Sequence, residues 1–319
     1  MKASLPTFAF LNNLEHFISL MDLSDLDNLD ISLEGRWAQV HPVVLCTLAS
    51  AGLAVRRGGG KVTIVDSDIP VMRYFTRMGL HKFLGVEPDT TLTEHEAAGR
   101  FIPLTQIQNP KELEGFLTDM VPLLHASPED SQPIQYVVSE LVRNVLEHSG
   151  SPDGAVVAAQ YYQSTNRVSI GVVDSGVGVL KSMRRAHNAG NDLNAIQLAL
   201  RPGITGTTSR PGGTEFNAGA GLFFCKAIAS VSQNSIVIFS GNGFFKLLRA
   251  ADRNVLQVDP ARDRATTRDD LPSWRGTVVG IDVSVDKNQA FSALLSLIRK
   301  SYSIETQALK KEYKKARFA

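Results

Sequence analysis

The chain has 319 residues, 43% hydrophobic and 20% charged, with a net charge of +1. Such a chain has room for two globular domains, and its near-zero charge gives no pull toward nucleic acid or a membrane surface. There is no apolar run long enough for a bilayer and no signal-peptide start. Cys46 and Cys225 lie in apolar helical runs, so a cytoplasmic protein with buried free thiols is expected.

Leu11–Met21 is a short amphipathic run, and Leu29–Leu33 alternates as a strand does. The apolar segment His41–Val55 predicts a buried helix, stopped by Arg56-Arg57-Gly58 with basic residues in its last turn. Lys61–Asp66 follows as a buried strand. Pro70 suits the first turn of the next helix, which Ser67 caps and Gly79 closes. This order makes a small α/β layer, and the polar residues 87–100 read as a linker.

Phe101–Leu104 predicts a short strand, and Pro110–His125 a helix that Pro122 kinks or ends. A longer helix starts at Ser131-Gln132-Pro133, with Val137, Val138, Leu141, Val145 and Leu146 on its apolar face. Glu140, Asn144 and His148 lie at i, i+4 and i+8, which aligns a carboxylate, an amide and an imidazole. Such a stripe can hold a hard cation and orient a water. It can equally be the solvated face of a core helix, with His148 packing at the helix end.

Gly154–Tyr162 and Val168–Val173 predict a hairpin whose second strand ends in Asp174-Ser175-Gly176-Val177-Gly178. Asp192–Leu200 reads as a helix. Pro202–Gly219 is rich in Gly, Thr, Ser and Pro, which suits a mobile lid, and Thr205, Thr207, Thr208 and Ser209 offer hydroxyls there. Ala220–Val231 is a helix entered through Gly219 and Gly221. Ile236–Phe239 and Phe244–Leu248 form a hairpin around Gly241-Asn242-Gly243. Gly276–Val285 is the last strand and Ala290–Ile298 starts a helix. The basic end after Ser301 is an exposed helical end or a frayed terminus.

Two family resemblances rest on these segments. The run from Gly58 to Val86, a glycine-rich turn, a strand, a helix and Gly79-Leu80-x-x-x-Leu84, resembles the second half of a STAS domain, the anti-sigma-factor-antagonist fold. The likeness covers about residues 28–86. Members switched by phosphorylation carry Ser or Thr in the turn before the preceding helix. The corresponding turn here is Val40-His41-Pro42-Val43, so the resemblance implies a STAS-like shape without the phosphoswitch.

Residues 105–285 resemble the GHKL superfamily of gyrase, heat-shock ATPases, histidine kinases and mismatch-repair ATPases. Within it they are most similar to histidine-kinase-like and anti-sigma serine-kinase domains. The Glu140–His148 helix resembles the N box, Asp174 to Gly178 the first glycine box, and Gly219-x-Gly221-Leu222 the second. Phe223 replaces the last glycine of the fuller second box. Gly276-Thr277 is similar to the pair that closes the adenine pocket.

The resemblance implies these roles: Asp174 accepts from the adenine amino group, and Gly176, Gly178 and Thr277 admit the base. Asn144 holds Mg²⁺, Glu140 is the catalytic base, and Gly219, Gly221 and Leu222 offer N–H groups to phosphate. No P-loop pattern is present, and the glycines do not sit in a Rossmann βαβ unit.

The fold class expected is α/β. A STAS-like domain and linker (1–100) precedes a Bergerat-type ATP-binding domain (101–285), a two-layer α/β sandwich on a mixed, mostly antiparallel sheet. A C-terminal helix and basic tail follow (286–319). The function expected is that of an Mg-ATP-binding protein, a slow ATPase working as a nucleotide-dependent conformational switch in signalling. A protein kinase of the anti-sigma or histidine-kinase type and a non-catalytic module stabilised by ATP are the alternatives. A protein partner is expected through the STAS-like domain, and the family often forms homodimers. Nucleic acid and membrane are not expected partners.

Overall fold

The computed structural model describes residues 1–25, 27–35, 38–65, 69–87, 101–123, 128–212, 220–249, 257–284 and 291–318. The N-terminal elements are β1 (Lys2–Leu5), β2 (Phe8–Ala9), α1 (Leu14–Ser19), β3 (Met21–Asp22), β4 (Asn28–Leu33), β5 (Gln39–Val40), α2 (Pro42–Arg57), β6 (Lys61–Val65), α3 (Ile69–Arg77) and α4 (Leu80–Leu84). β1, β4 and β6 are parallel, β3 is antiparallel to β1, and the order is β3-β1-β4-β6. Parallel neighbours need a crossover, and α2 supplies it between β4 and β6. His41 caps this helix, its Nδ1 accepting from the Val43 N–H at 3.1 Å, and Pro42 occupies the first turn.

The chain continues as β7 (Phe101–Ile107), α5 (Pro110–Leu123), α6 (Pro128–Asn144), β8 (Ala155–Tyr162), β9 (Arg167–Asp174), α7 (Gly178–Met183), α8 (Asp192–Ala199), α9 (Gly221–Val231), β10 (Ile236–Gly241), β11 (Gly243–Leu247), β12 (Ala265–Arg268), β13 (Trp274–Ser284) and α10 (Phe291–Phe318). Seven strands form one sheet in the order β12-β11-β10-β13-β9-β8-β7. Every pairing in it is antiparallel, so the protein is α/β with one large antiparallel sheet.

Alternation along the strands gives this sheet two buried faces. On one, Val157, Ile170, Val172, Ile238, Val279 and Ile281 pack with the helices α5 to α10. On the other, Val156, Ala158, Val173, Phe239, Phe244 and Val278 share a single core with the N-terminal elements. Helix α2 lies between the two sheets, touching β4 and β6 on one side and β8 and β9 on the other. That is why Val43 to Ala51 are all buried: the helix is apolar all round because it has no solvent face over that length.

Polar ties reinforce the seam. Lys246 on β11 reaches Glu15 Oε1 at 2.6 Å and the Asn12 carbonyl at 2.7 Å. Asp282 on β13 accepts from Ser169 Oγ at 2.5 Å, lies 3.4 Å from His41 Nε2 and 3.5 Å from Arg167 Nη1. Burial opposes ionisation of Asp282, but these neighbours outweigh it and hold the carboxyl below its ordinary value.

Several element ends differ from expectation. The strand at Phe101 runs on to Ile107, with a register shift between Ile102 and Thr105 that accommodates Pro103. α6 begins at Pro128, which leaves Pro133 inside it. β12 was not anticipated, and neither was α7. The basic end of the chain is helical: α10 spans 28 residues, and Tyr302 on it lies 5.9 Å from the Phe224 ring. The boundary placed near residue 100, the cap at Ser67 and the helix end expected at His125 fall outside the described residues.

Candidate functional site

On the helical side of the sheet a cavity of about 310 Å³ opens where α6, β9, α7, α9 and β13 meet. That is the lower end of small-molecule pockets. Glu140, Asn144, Asp174, Gly178, Gly221, Leu222 and Thr277 all line it, brought together from four stretches of sequence.

Glu140 and Asn144 project from the end of α6, both half-buried. The α-helical ladder stops at Asn144, and Val145–Ser149 form a single π turn ended by Gly150 at φ +58. Such turns are rare and frequently mark functional sites. His148 and Glu147, on that turn, also line the cavity, with His148 Nε2 3.8 Å from Glu147 Oε2. Burial raises the pKa of Glu140; Arg143 opposes the shift and Glu147 adds to it.

β9 delivers Asp174 to the floor with only 2% of its surface exposed. Gly176 N–H donates to Asp174 Oδ1 at 2.7 Å, and Thr277, opposite Asp174 on β13, also favours the charged carboxylate. Burial nevertheless dominates and pushes Asp174 up to about 7. An acceptor so poised gains from any ligand that brings a further N–H donor.

The surrounding backbone is fitted tightly. Gly276 sits at φ +116, and a Cβ there would come 2.1 Å from the Asp174 carbonyl oxygen. Gly178 sits at φ +76. Ser240 Oγ donates to the Gly276 carbonyl at 2.6 Å and accepts from Val179 N–H at 2.9 Å, locking the start of α7 to β10 and β13. Trp274 Nε1–H donates to the Asp174 carbonyl at 3.1 Å.

Gly221 opens α9 directly against α6: a Cβ on it would lie 2.6 Å from Glu140 Oε2 and 3.4 Å from Asn144 Nδ2. That Nδ2 is buried and has no hydrogen-bond partner among the described residues. A half turn of the amide exchanges its nitrogen and oxygen, so the site can present either to a ligand.

One of the glycines singled out in the sequence stands apart. Gly176 does not line the cavity. It packs behind it, where a Cβ would meet the Ser149 carbonyl oxygen at 2.3 Å, and its N–H serves Asp174. Gly219 lies outside the described residues, as does the rest of 213–219.

Of the lid segment, residues 202–212 are described. They fold into packed turns with a Thr205–Thr208 bridge and a Gly212 N–H to Gly203 carbonyl bond of 2.9 Å, and Thr205 and Gly206 line the cavity. Gly203 and Gly212 rest against Thr306 and Lys310 of α10.

Val172, Val279 and Met183, part of the apolar wall, and Ser182 carry no signal of their own in the sequence reading. Strand alternation from Asp174 and Thr277 places the two valines on the cavity face; no local pattern marks Ser182.

Cys46 and Cys225 are both free and buried, as expected, and burial pushes both thiols up. Among the described residues no group of three or more His, Cys, Asp or Glu side chains is arranged to hold a metal, and no helix is long and apolar enough to cross a membrane. No protein-family model and no curated protein matches the sequence.

Proposed function

We propose that the protein binds Mg-ATP in this cavity and hydrolyses it slowly, working as a nucleotide-dependent switch of the GHKL kind, with a Bergerat-type fold and a STAS-like unit at its back. The observation that carries the reading is the convergence on one cavity of a buried carboxylate, a carboxylate–amide pair one helical turn apart, and the glycine-started helix α9. Asp174 accepts from the adenine amino group, with Val172 and Val279 against the base.

The fit to a magnesium–phosphate group rests on the orphaned Asn144 amide and on the space that a side chain at 221 would fill. Asn144 would be the protein's ligand to Mg²⁺, with phosphate and water oxygens completing its shell. When bound, the metal neutralises phosphate charge. Glu140, its pKa raised by burial, takes the proton of the attacking water. α9 starts at the same end of the cavity, so its first-turn N–H groups would be offered to phosphate there.

The test is calorimetric titration of the full chain with ATP and ADP, with and without magnesium, followed by phosphate release. Binding that Asp174→Ala abolishes supports the reading. No heat from any adenine nucleotide overturns it. Label from γ-phosphate found on protein would replace the ATPase by a kinase.

A further inference from the structure

Helix α2 grips the cavity's framework at both of its ends. At its N-terminal end Val43 sits against Gly171 and Gly280, on the strands that deliver Asp174 and Thr277. At its C-terminal end the Arg57 guanidinium pairs with the Asp153 carboxylate. Asp153 lies in the turn between the π turn and β8, and its Oδ2 also accepts from Ser175 Oγ at 3.2 Å.

The turn that carries Asp153 is itself fixed. Gln106 Nε2 donates to the Asp153 carbonyl at 2.9 Å, and Gly154, at φ +67, is so close to β7 that a Cβ would lie 2.2 Å from the Ile107 carbonyl oxygen. A second strap joins the end of the π turn to the same loop: Val177 N–H donates to the Ser149 carbonyl at 2.8 Å. Ser175 is flanked by Asp174 and Gly176, so what holds its hydroxyl holds the loop bearing the buried carboxylate. None of Arg57, Asp153 and Ser175 lines the cavity.

We propose that Arg57 is a positioning residue for the nucleotide site. Acting through Asp153 and Ser175, it keeps the 174–178 loop in its binding geometry and makes the N-terminal unit a determinant of nucleotide affinity; this rests on the ATP reading above. The Asp153 carboxylate is only 13% exposed and takes donors from two elements. Without the guanidinium it loses its charged partner and is free to turn toward water, and Ser175 loses a fixed acceptor. Arg57 itself is 43% exposed, so its truncation opens no cavity and costs little global stability.

The experiment uses the full chain and two readouts: amide hydrogen exchange at Gly176 and Val177 without nucleotide, and ATP affinity by calorimetry. In Arg57→Gln, exchange at both amides is expected to quicken by about fivefold and ATP affinity to fall by about fivefold. The melting temperature of the free protein should move by less than about 2 °C. Arg57→Lys should restore most of the affinity, and Ser175→Ala added to Arg57→Gln should cause little further loss.

Unaltered exchange and affinity in Arg57→Gln would overturn the proposal and leave Arg57 a surface ion pair, with the ATP reading intact. Wild-type protein that gives no heat with ATP would overturn the ATP reading and the claim on affinity. Equal exchange rates in the two proteins would then overturn the coupling as well.

Discussion

Gly171 on β9 and Gly280 on β13 stand opposite each other in register, and their two missing side chains make the seat for Val43 of α2. The seat lies on the back of the strand pair whose ends carry Asp174 and Thr277. The sheet therefore serves the cavity with one face and the N-terminal helix with the other.

Alanine at these two positions should have unequal effects. A Cβ at 171 would come 2.5 Å from the Val43 backbone, while one at 280 meets the side-chain ends Leu11 Cδ2 at 2.6 Å and Val43 Cγ1 at 3.1 Å. Backbone cannot yield as side chains can. Gly171→Ala is expected to cost about 1–3 kcal/mol and Gly280→Ala less. Urea midpoints at unchanged slope would measure this, and a larger loss at 280 would contradict the seat.

Asp174 should leave a pH signature. Burial raises it to about 7 from an ordinary 3.8, so the folded protein holds its proton more tightly than the unfolded chain. Its contribution to stability is complete below about pH 4 and is lost as pH climbs through about 7. Asp174→Asn cannot ionise. In the free protein it should flatten the stability profile between those limits and exceed wild type above pH 7 by roughly 2–4 kcal/mol. ATP affinity of the wild type should rise through the same interval as the carboxylate forms, a rise missing in the variant.

Glu140→Gln separates chemistry from binding. The amide keeps the size of the carboxylate but cannot take a proton. Turnover is expected to fall by about 10²–10⁴ with the dissociation constant for ATP within about threefold of wild type. Equal single-turnover rates for the two proteins would remove Glu140 from the chemistry.

Gly221→Ala tests the contact between α9 and α6. Its Cβ would meet the end of the Glu140 side chain at 2.6 Å, a group that can swing aside. The melting temperature should stay within about 2 °C of wild type. Phosphate release should drop, because the carboxylate is displaced.

Lys226 and Asp263 form a buried pair at 2.7 Å, exposed by 0% and 3%. Burial lowers the lysine and raises the aspartate despite their mutual attraction, so desolvation is the larger effect on both. Lys226→Met alone strands the carboxylate and is expected to cost about 3–5 kcal/mol, most of it recovered in Lys226→Met with Asp263→Leu. A double-mutant cycle on thermal or urea unfolding reads the difference.

The lining of the cavity was legible because its residues belong to local patterns. Glu140 and Asn144 share a helical stripe, Asp174 ends an alternating strand, and Gly221 starts an apolar helix. The union of the N-terminal elements with the sheet was not legible. Gly171 and Gly280 lie far apart in sequence, and neither strand announces that its glycine faces its counterpart. Helix α2 was read as buried, but its composition does not say that two different sheets cover it. That Gly176 lies behind the cavity, not on its wall, was not legible, because spacing cannot tell which side of a loop faces it. The π turn left no trace either, since α and π ladders use the same residue types.

Because α2 is wedged between two sheets, the described N-terminal elements and the seven-stranded sheet share one core. Severed within 88–100, the larger piece would bare Val173, Phe239, Phe244 and Val278 to water, and the smaller would lose the cover over Val43 and Leu11. Each fragment would be sticky on its own and soluble only when its counterpart is supplied. A displacement of α2 would therefore be felt by both sheets at once.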